Sequence, residues 1–287
     1  MIHIIIPAYN RVNYTINCLN SIKKQINYRD TSIILIDDGS KDNTTKIIKK
    51  KFPEVKILKG TGSLFWTGAV DLGIKYVMKS GKKNDWILLI NNDVELSSNA
   101  ITSLINLVKK KKRKAIAGAL TLSFRDKKTI IKSGTVVNSW FWNSTNHLYQ
   151  GKKIEEINLR PRNVNFLTGR CLMHPIEIFK KVGTYDVFNF RHYGADDEFS
   201  MRVKNYGYEV LLCPKSIVYL KDNKKTKKNK PNINFFINTL LGFKSNQNIL
   251  NKLKLTKKIV PFYAKPTYFL IAIFKSIYVS ILRYYEK

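Results

Sequence analysis

Through the first 122 residues, short runs of β-branched and aliphatic residues alternate with segments whose apolar positions recur three and four apart. The runs Ile2–Ile6, Ser32–Ile36, Val55–Leu58, Trp86–Ile90 and Ala115–Leu122 predict strands, and Asn13–Lys24, Asp42–Lys51, Gly68–Met78 and Ser98–Lys109 predict helices between them. Strand and helix in strict alternation predict βαβ units and an α/β fold with a mainly parallel sheet flanked by helices. Such sheets bind ligands beyond the carboxyl ends of their strands. The segments following Ile6, Ile36 and Ile90 are all polar: Pro7-Ala8-Tyr9-Asn10-Arg11, Asp37-Asp38-Gly39-Ser40 and Asn91-Asn92-Asp93.

After residue 122 the pattern loosens into a strand-like Thr129–Val137, an aromatic Trp140-Phe141-Trp142 and a basic loop near Arg160. Order returns at Asn165-Phe166-Leu167-Thr168-Gly169-Arg170, a helix near Glu177–Val182, and the acidic segment Asp196-Asp197-Glu198-Phe199-Ser200-Met201-Arg202. No Gly/Ser-rich linker intervenes, so residues 1–220 are expected to form one unit with subregions 1–122 and 123–220. Residues 221–287 form a separate basic and apolar tail. Its apolar stretch, Pro266 to Leu282, falls short of the ~20 residues a membrane span needs and carries Lys275 at its middle. Two readings of it stand: a helix lying on an anionic leaflet, or a C-terminal helix packed on the core.

Charge sharpens the first of these. With 51 Lys and Arg against 20 Asp and Glu, the formal charge is +31, which calls for an anionic partner: nucleic acid, anionic lipid or a phosphorylated substrate. The excess is clustered at Lys109 to Lys114, Lys221 to Lys230, and Lys252, Lys254, Lys257 and Lys258. Lysines just ahead of the apolar stretch would each add roughly 1 kcal/mol of attraction to an anionic leaflet. The basic runs lack interleaved aromatics, and no helix-turn-helix, zinc or RNP pattern occurs, so a nucleic-acid-binding protein is a lesser alternative. Cys18, Cys171 and Cys213 have neither CxxC nor metal-ligand spacing and are expected to be buried thiols. The first residues show no basic and apolar leader, which places the expected chemistry in the cytoplasm.

Neither a GxxxxGK[ST] loop nor a GxGxxG turn is present. Asp37-Asp38-Gly39-Ser40 alone could be a capped turn, and Asp93 alone is equally open. Converging at neighbouring strand ends, they suit a nucleotide: Asp37 and Asp38 as acceptors for base or ribose hydroxyls, Asp93 as ligand to a hard cation such as Mg²⁺ or Mn²⁺. The ordered set Ile-Pro-Ala-Tyr-Asn at 6–10, Ile-Asp-Asp-Gly-Ser at 36–40, Asn-Asn-Asp-Val at 91–94, Gly169-Arg170 and Asp196 to Arg202 resembles the family 2 glycosyltransferases, which have the GT-A fold. The resemblance covers roughly residues 1–220 and lies toward the rhamnosyl- and galactofuranosyltransferase-like branch. A further segment, Phe65 to Ile74, resembles the family's glycine-containing stretch beneath the donor, with Asp71 where Asn is commoner.

That resemblance implies residue roles. Pro7, Ala8, Tyr9 and Asn10 would line the nucleotide, Asp38 with Asp37 would bind base or ribose, and Gly68 and Gly169 would border the donor. Asn91-Asn92-Asp93 stands at the family's DxD-like motif, making Asp93 the metal ligand and Asn92 a contact to ribose or sugar. In the acidic motif Asp196 would be the general base, with Asp197 second in line and Glu198 orienting an acceptor hydroxyl or a neighbouring basic group. Chemically, displacement at an anomeric carbon needs a stabilised diphosphate leaving group and a base for the incoming hydroxyl, and one of each implies direct attack with inversion. Read without the family, the same three acids could simply offset the dipole of a helix N-terminus, with Arg202 pairing Glu198. Many relatives place a metal-completing histidine near residues 216–222, where this chain has none; Asp222 is the nearest substitute. His174 and His192 are expected to be structural. The resemblance implies transfer from a nucleoside-diphosphate sugar to a glycan or lipid-linked glycan in surface polysaccharide synthesis, on the inner face of the membrane. A catalytically idle scaffold of the same fold is the alternative.

Overall fold

A computed structural model describes residues 1–26, 28–221 and 233–285. Most of the basic run after Lys221, and Asp222, lie outside the described residues. The first half follows the expected alternation: β1 (Ile2–Ala8), α1 (Val12–Lys23), β2 (Thr31–Asp37), α2 (Thr44–Lys51), β3 (Lys56–Lys59), α3 (Phe65–Met78), β4 (Trp86–Ile90), β5 (Val94–Leu96), α4 (Ala100–Lys110) and β6 (Ala115–Ser123). The second half holds β7 (Ile130–Lys132), β8 (Thr135–Ser139), β9 (Ser144–His147), β10 (Arg162–Asn163), β11 (Cys171–Pro175), α5 (Ile176–Val182), α6 (Ala195–Asn205) and β12 (Glu209–Leu220). The tail supplies α7 (Ile233–Leu240), α8 (Ile249–Ile259) and α9 (Lys265–Tyr285).

The main sheet runs β10-β12-β6-β11-β4-β1-β2-β3, with β5 on β12 and β7 on β6. β1 pairs in parallel with both β2 and β4, so the chain reverses its winding direction there, and a crevice opens at the carboxyl ends of these strands. β11 inserts antiparallel between β4 and β6 and brings residues 169 and 170 back to the same edge. The central strands are buried on both faces. Ile4, Leu35, Leu88 and Ala117 pack against α1 and α4, while Ile5, Ile34, Leu89 and Leu172 pack against α3, α5 and α6. That is why they read as continuous apolar runs rather than alternating ones. Cys18, Cys171 and Cys213 are free and buried.

Several boundaries differ from the pattern for local reasons. α3 begins at Phe65, three residues before the expected Gly68. α2 begins at Thr44 because Asp42 serves the loop before it, accepting from the Val12 and Thr44 N–H groups at 2.9 and 3.2 Å. The strand-like Thr129–Val137 breaks in two at Gly134, where a Cβ would meet Val164. The three-residue β5 carries too few positions to show a period.

The apolar stretch of the tail is longer in the structure than in the pattern. α9 spans 21 residues, with Lys265 and Pro266 opening its first turn, where a missing N–H costs nothing. Among the described residues, Phe262–Leu282 is the stretch long and apolar enough to cross a bilayer by length and composition. One edge of α9 is packed: Ala272, Ser276 and Ser280 are buried, and Tyr268 joins a small core with Phe166, Met201, Ile259 and Trp140. The opposite edge exposes Leu270, Phe274, Tyr278 and Ile281, with Phe274 at 67%.

Candidate active site

The crevice is assembled from loop ends stitched together by backbone N–H groups. Asp38 N–H donates to the Ala8 carbonyl (3.0 Å), Asn10 N–H to Ser40 Oγ (2.9 Å), and Lys41 N–H to Asn10 Oδ1 (2.7 Å). Asn10 sits at φ 51°, in the left-handed region that asparagine tolerates better than most side chains. Pro7 and Ala8 end β1, while Tyr9 is half exposed over the loop. Both aspartates of the second loop are buried. Asp37 accepts from Ser40 N–H (2.9 Å) and Thr45 Oγ1, capping its own turn. Asp38 accepts from the N–H groups of Gly62 (2.8 Å) and Phe65 (3.0 Å), fixing the loop that launches α3.

The third loop separates its three residues by role. Asn91 accepts from the Trp66 indole at 2.7 Å and its N–H donates to the Arg170 carbonyl (3.0 Å). Asn92 is buried and its amide donates inward to Thr15 (3.0 Å), so it does not reach the crevice. Asp93 Oδ2 accepts a long 3.4 Å contact from Arg11, while Oδ1 is buried with no hydrogen-bond partner. An orphaned carboxylate oxygen beside a nucleotide-sized crevice fits one ligand to a divalent cation. No group of three His, Cys, Asp or Glu side chains converges among the described residues, so the cation would share its remaining positions with a diphosphate and water, as Mg²⁺ commonly does.

The acidic motif opens α6. Gly194 enters at φ 90°, and Asp196 Oδ2 accepts from Gly169 N–H (3.0 Å). Burial pushes the Asp196 carboxyl above its ordinary range, while the Gly169 N–H, the helix-terminal N–H groups and the nearby Arg170 charge favour its ionised form. Asp197 has no such compensation: burial, then the Asp196 charge, drive it well above the carboxylate range. Of the two, Asp196 is therefore the one held ionised, and Asp197 the one held protonated. Tyr185 and Tyr268 wall the pair, their hydroxyls both raised by burial first and then by Asp196 and Asp197 respectively. Glu198 turns away and grips Arg202 with both oxygens at 2.8 Å, and Arg202 in turn donates to the Val182 and Thr184 carbonyls. It orients a neighbouring basic group.

Gly169 and Trp66, beneath the crevice, tie these parts together. A Cβ on Gly169 would run into the six-membered ring of Trp66, which also meets Tyr185 edge-on at 5.6 Å. Gly169-Arg170 thus joins the two acid loops, its first N–H holding Asp196 and its last carbonyl holding Asn91. Gly68, one turn into α3, lines a cavity of about 320 Å³ with Ser63, Asp71 and Arg191. A second, near 700 Å³, opens between Tyr193 and residues 235–246 just ahead of the acidic motif. His174 is buried among Phe179 and Phe199 with its pKa lowered to about 4 by desolvation, remote from any anion. Trp66, Arg170, Tyr185 and Tyr268 belong to the site and carry no motif of their own. The cue that the sequence offers for Trp66 is its place beside Gly68.

The sequence profile of Glycosyl transferase family 2 matches residues 3–183. The chain belongs to that family. Asp196 lies beyond the matched stretch. An N-acetylglucosaminyl-diphospho-decaprenol L-rhamnosyltransferase of Mycobacterium tuberculosis is 26% identical over 207 residues, covering 66% of each chain. Among solved structures, GalNAc-T7 with UDP, GalNAc and Mn²⁺ superposes with a TM-score of 0.63 at 15% identity, over 93% of this chain and 53% of that one. The mannosyltransferase PcManGT of Pyrobaculum calidifontis, in complex with GDP-Man and Mn²⁺, gives 0.62 at 12%, over 98% and 73%. The architecture is the GT-A fold.

Proposed function

We propose that this chain transfers a sugar, with inversion, from a nucleoside-diphosphate donor to a hydroxyl of a lipid-linked glycan during surface polysaccharide synthesis. Family membership and the direct link between the two acid loops through Gly169-Arg170 support the reading. The donor nucleotide lies along Pro7 to Asn10 and the Asp37-Asp38 loop, with its diphosphate toward Asp93. A divalent cation held there neutralises charge on the departing diphosphate. Asp196 Oδ1, the oxygen not committed to Gly169, takes the proton of the attacking acceptor hydroxyl. Asp197, protonated, leaves Asp196 as the sole base. Asp38 holds the donor loop in shape through its two N–H contacts.

The exposed edge of α9 and the surrounding lysines place the reaction at the cytoplasmic face of a membrane. Tyr268, on the packed edge of the same helix, flanks Asp197, so a helix seated on lipid also borders the acceptor side of the site. The test is a panel of nucleoside-diphosphate sugars with Mg²⁺ or Mn²⁺ and a prenyl-diphosphate-linked sugar as acceptor, following released nucleoside diphosphate and the extended lipid. Acceptor-dependent release supports transfer. No release with any donor, from protein that melts cooperatively, points to the idle scaffold.

A further inference from the structure

Three basic side chains gather in the second half of the chain without an acid to answer them. Lys132 lies at the end of β7, in register with Thr121 of β6. Arg170 precedes β11, and His147 ends β9, where its Nδ1 meets Thr135 Oγ1 at 2.9 Å. They are neighbours in charge: after burial, Arg170 lowers the Lys132 ammonium and Lys132 lowers His147. Among the described residues neither Lys132 nor Arg170 has an ion-pair partner, and Arg170 Nε is buried with no acceptor. Asp196 feels the Arg170 charge but hydrogen-bonds Gly169 instead. Elsewhere partly buried cations are spent on acids: Arg113 on Glu177, Arg202 on Glu198, Lys221 on Glu95.

Like charges withdrawn from water side by side, with donors unused, are costly until an anion joins them. We infer that Lys132 and Arg170, backed by His147, form the site for the diphosphate of the acceptor, distinct from the donor diphosphate at Asp93. The inference rests on the lipid-linked acceptor proposed above. In such an acceptor the attacking hydroxyl and the anomeric diphosphate lie on different edges of one sugar ring. Arg170 directly follows the N–H that holds Asp196, so a ring spanning the two would present its hydroxyl to Asp196 and its diphosphate to the basic pair. The other phosphate source within reach is the donor itself, because the Arg170 carbonyl also holds Asn91.

Binding of farnesyl diphosphate, and separately of uridine and thymidine diphosphates with Mg²⁺, to the full chain distinguishes the sources. Lys132→Gln and Arg170→Gln should each weaken farnesyl diphosphate about tenfold or more, the loss of one charge-assisted contact, and leave nucleoside diphosphate affinity unchanged. Lys132→Arg, which keeps the charge, should retain binding, and this separates a lost contact from a damaged fold. Unchanged farnesyl diphosphate affinity in the Gln variants, or none in the parent, overturns the inference. A loss confined to the nucleoside diphosphates overturns it too, by giving the cluster to the donor. Binding of farnesyl diphosphate through Lys132, with no sugar transfer to any lipid-linked acceptor, would sink the proposed reaction and leave this site standing.

Discussion

Gly169→Ala should disable the enzyme through a steric conflict several ångströms from the reacting atoms. The added Cβ would lie 3.2 Å from Trp66 Cε2 and closer still to Cζ2 and Cη2, against the ~3.5–4.0 Å of ordinary carbon contact. The indole must retreat by roughly 1 Å. It is pinned by the 2.7 Å bond to Asn91 and the edge-on contact with Tyr185, so retreat forfeits a hydrogen bond and an aromatic pair, each about 0.5–1.5 kcal/mol. The total, roughly 1–3 kcal/mol, agrees with typical overpacking costs. If the backbone yields instead, the Gly169 N–H leaves Asp196, and a 1 Å misplacement of a catalytic group costs on the order of 10²-fold in rate. Thermal melting and turnover measured on the same preparation read both effects. Trp66→Phe in the Gly169→Ala background should restore part of the stability by vacating the overlapped volume. A variant that melts and turns over like the parent would show that Trp66 does not rest on Gly169.

Other substitutions probe separate parts of the account. Asp197 has a raised pKa when folded, so its contribution to stability is intact below its ordinary pKa of 3.8 and is lost as pH rises toward the folded value. Asp197→Asn should therefore melt a few degrees above the parent at pH 7, the gap closing near pH 4; a lower melting point at pH 7 would contradict this. Asp93→Asn should abolish the Mg²⁺ or Mn²⁺ dependence of nucleoside diphosphate binding with little change in melting temperature, since Oδ1 has no protein partner to lose. Leu270→Ser with Phe274→Ser should weaken sedimentation with anionic vesicles by roughly 3 kcal/mol, about a hundredfold, while removal of the whole of α9 should also lower the melting point because Tyr268 and Ala272 are core residues. Truncated chain that sediments as well as the parent would show that lipid is not what covers this face.

The strand and helix alternation was legible because doubly buried strands print as apolar runs, and Ile2–Ile6 and Trp86–Ile90 fall inside β1 and β4. The loops at their ends could be read for the same reason, since polar residues there have no core to enter. What pattern cannot reveal is the direction of a side chain within a loop. Asn92 and Asp93 are adjacent and equally polar, yet one is buried against Thr15 and the other keeps an oxygen free. Glu198 looked like a third member of an acidic cluster, but four residues on a helix bring it to Arg202 instead. Trp66, Arg170 and Tyr185 act through long-range packing, and such partners are fixed only when β11 returns between β4 and β6. The tail shows both limits: its apolarity was plain, but the division of α9 into a packed and an exposed edge required the rest of the fold.

The most direct test of the central claim compares Asp196→Asn with Asp197→Asn in single-turnover transfer, with nucleoside diphosphate binding measured alongside. Asparagine can still accept from the Gly169 N–H but cannot take a proton, so Asp196→Asn should lose about 10²–10⁴-fold in the transfer step with donor affinity preserved. Asp197→Asn, replacing a carboxyl already protonated, should retain most of the rate. An inactive Asp197→Asn beside an active Asp196→Asn would contradict the assignment of the base and the charge asymmetry on which it rests.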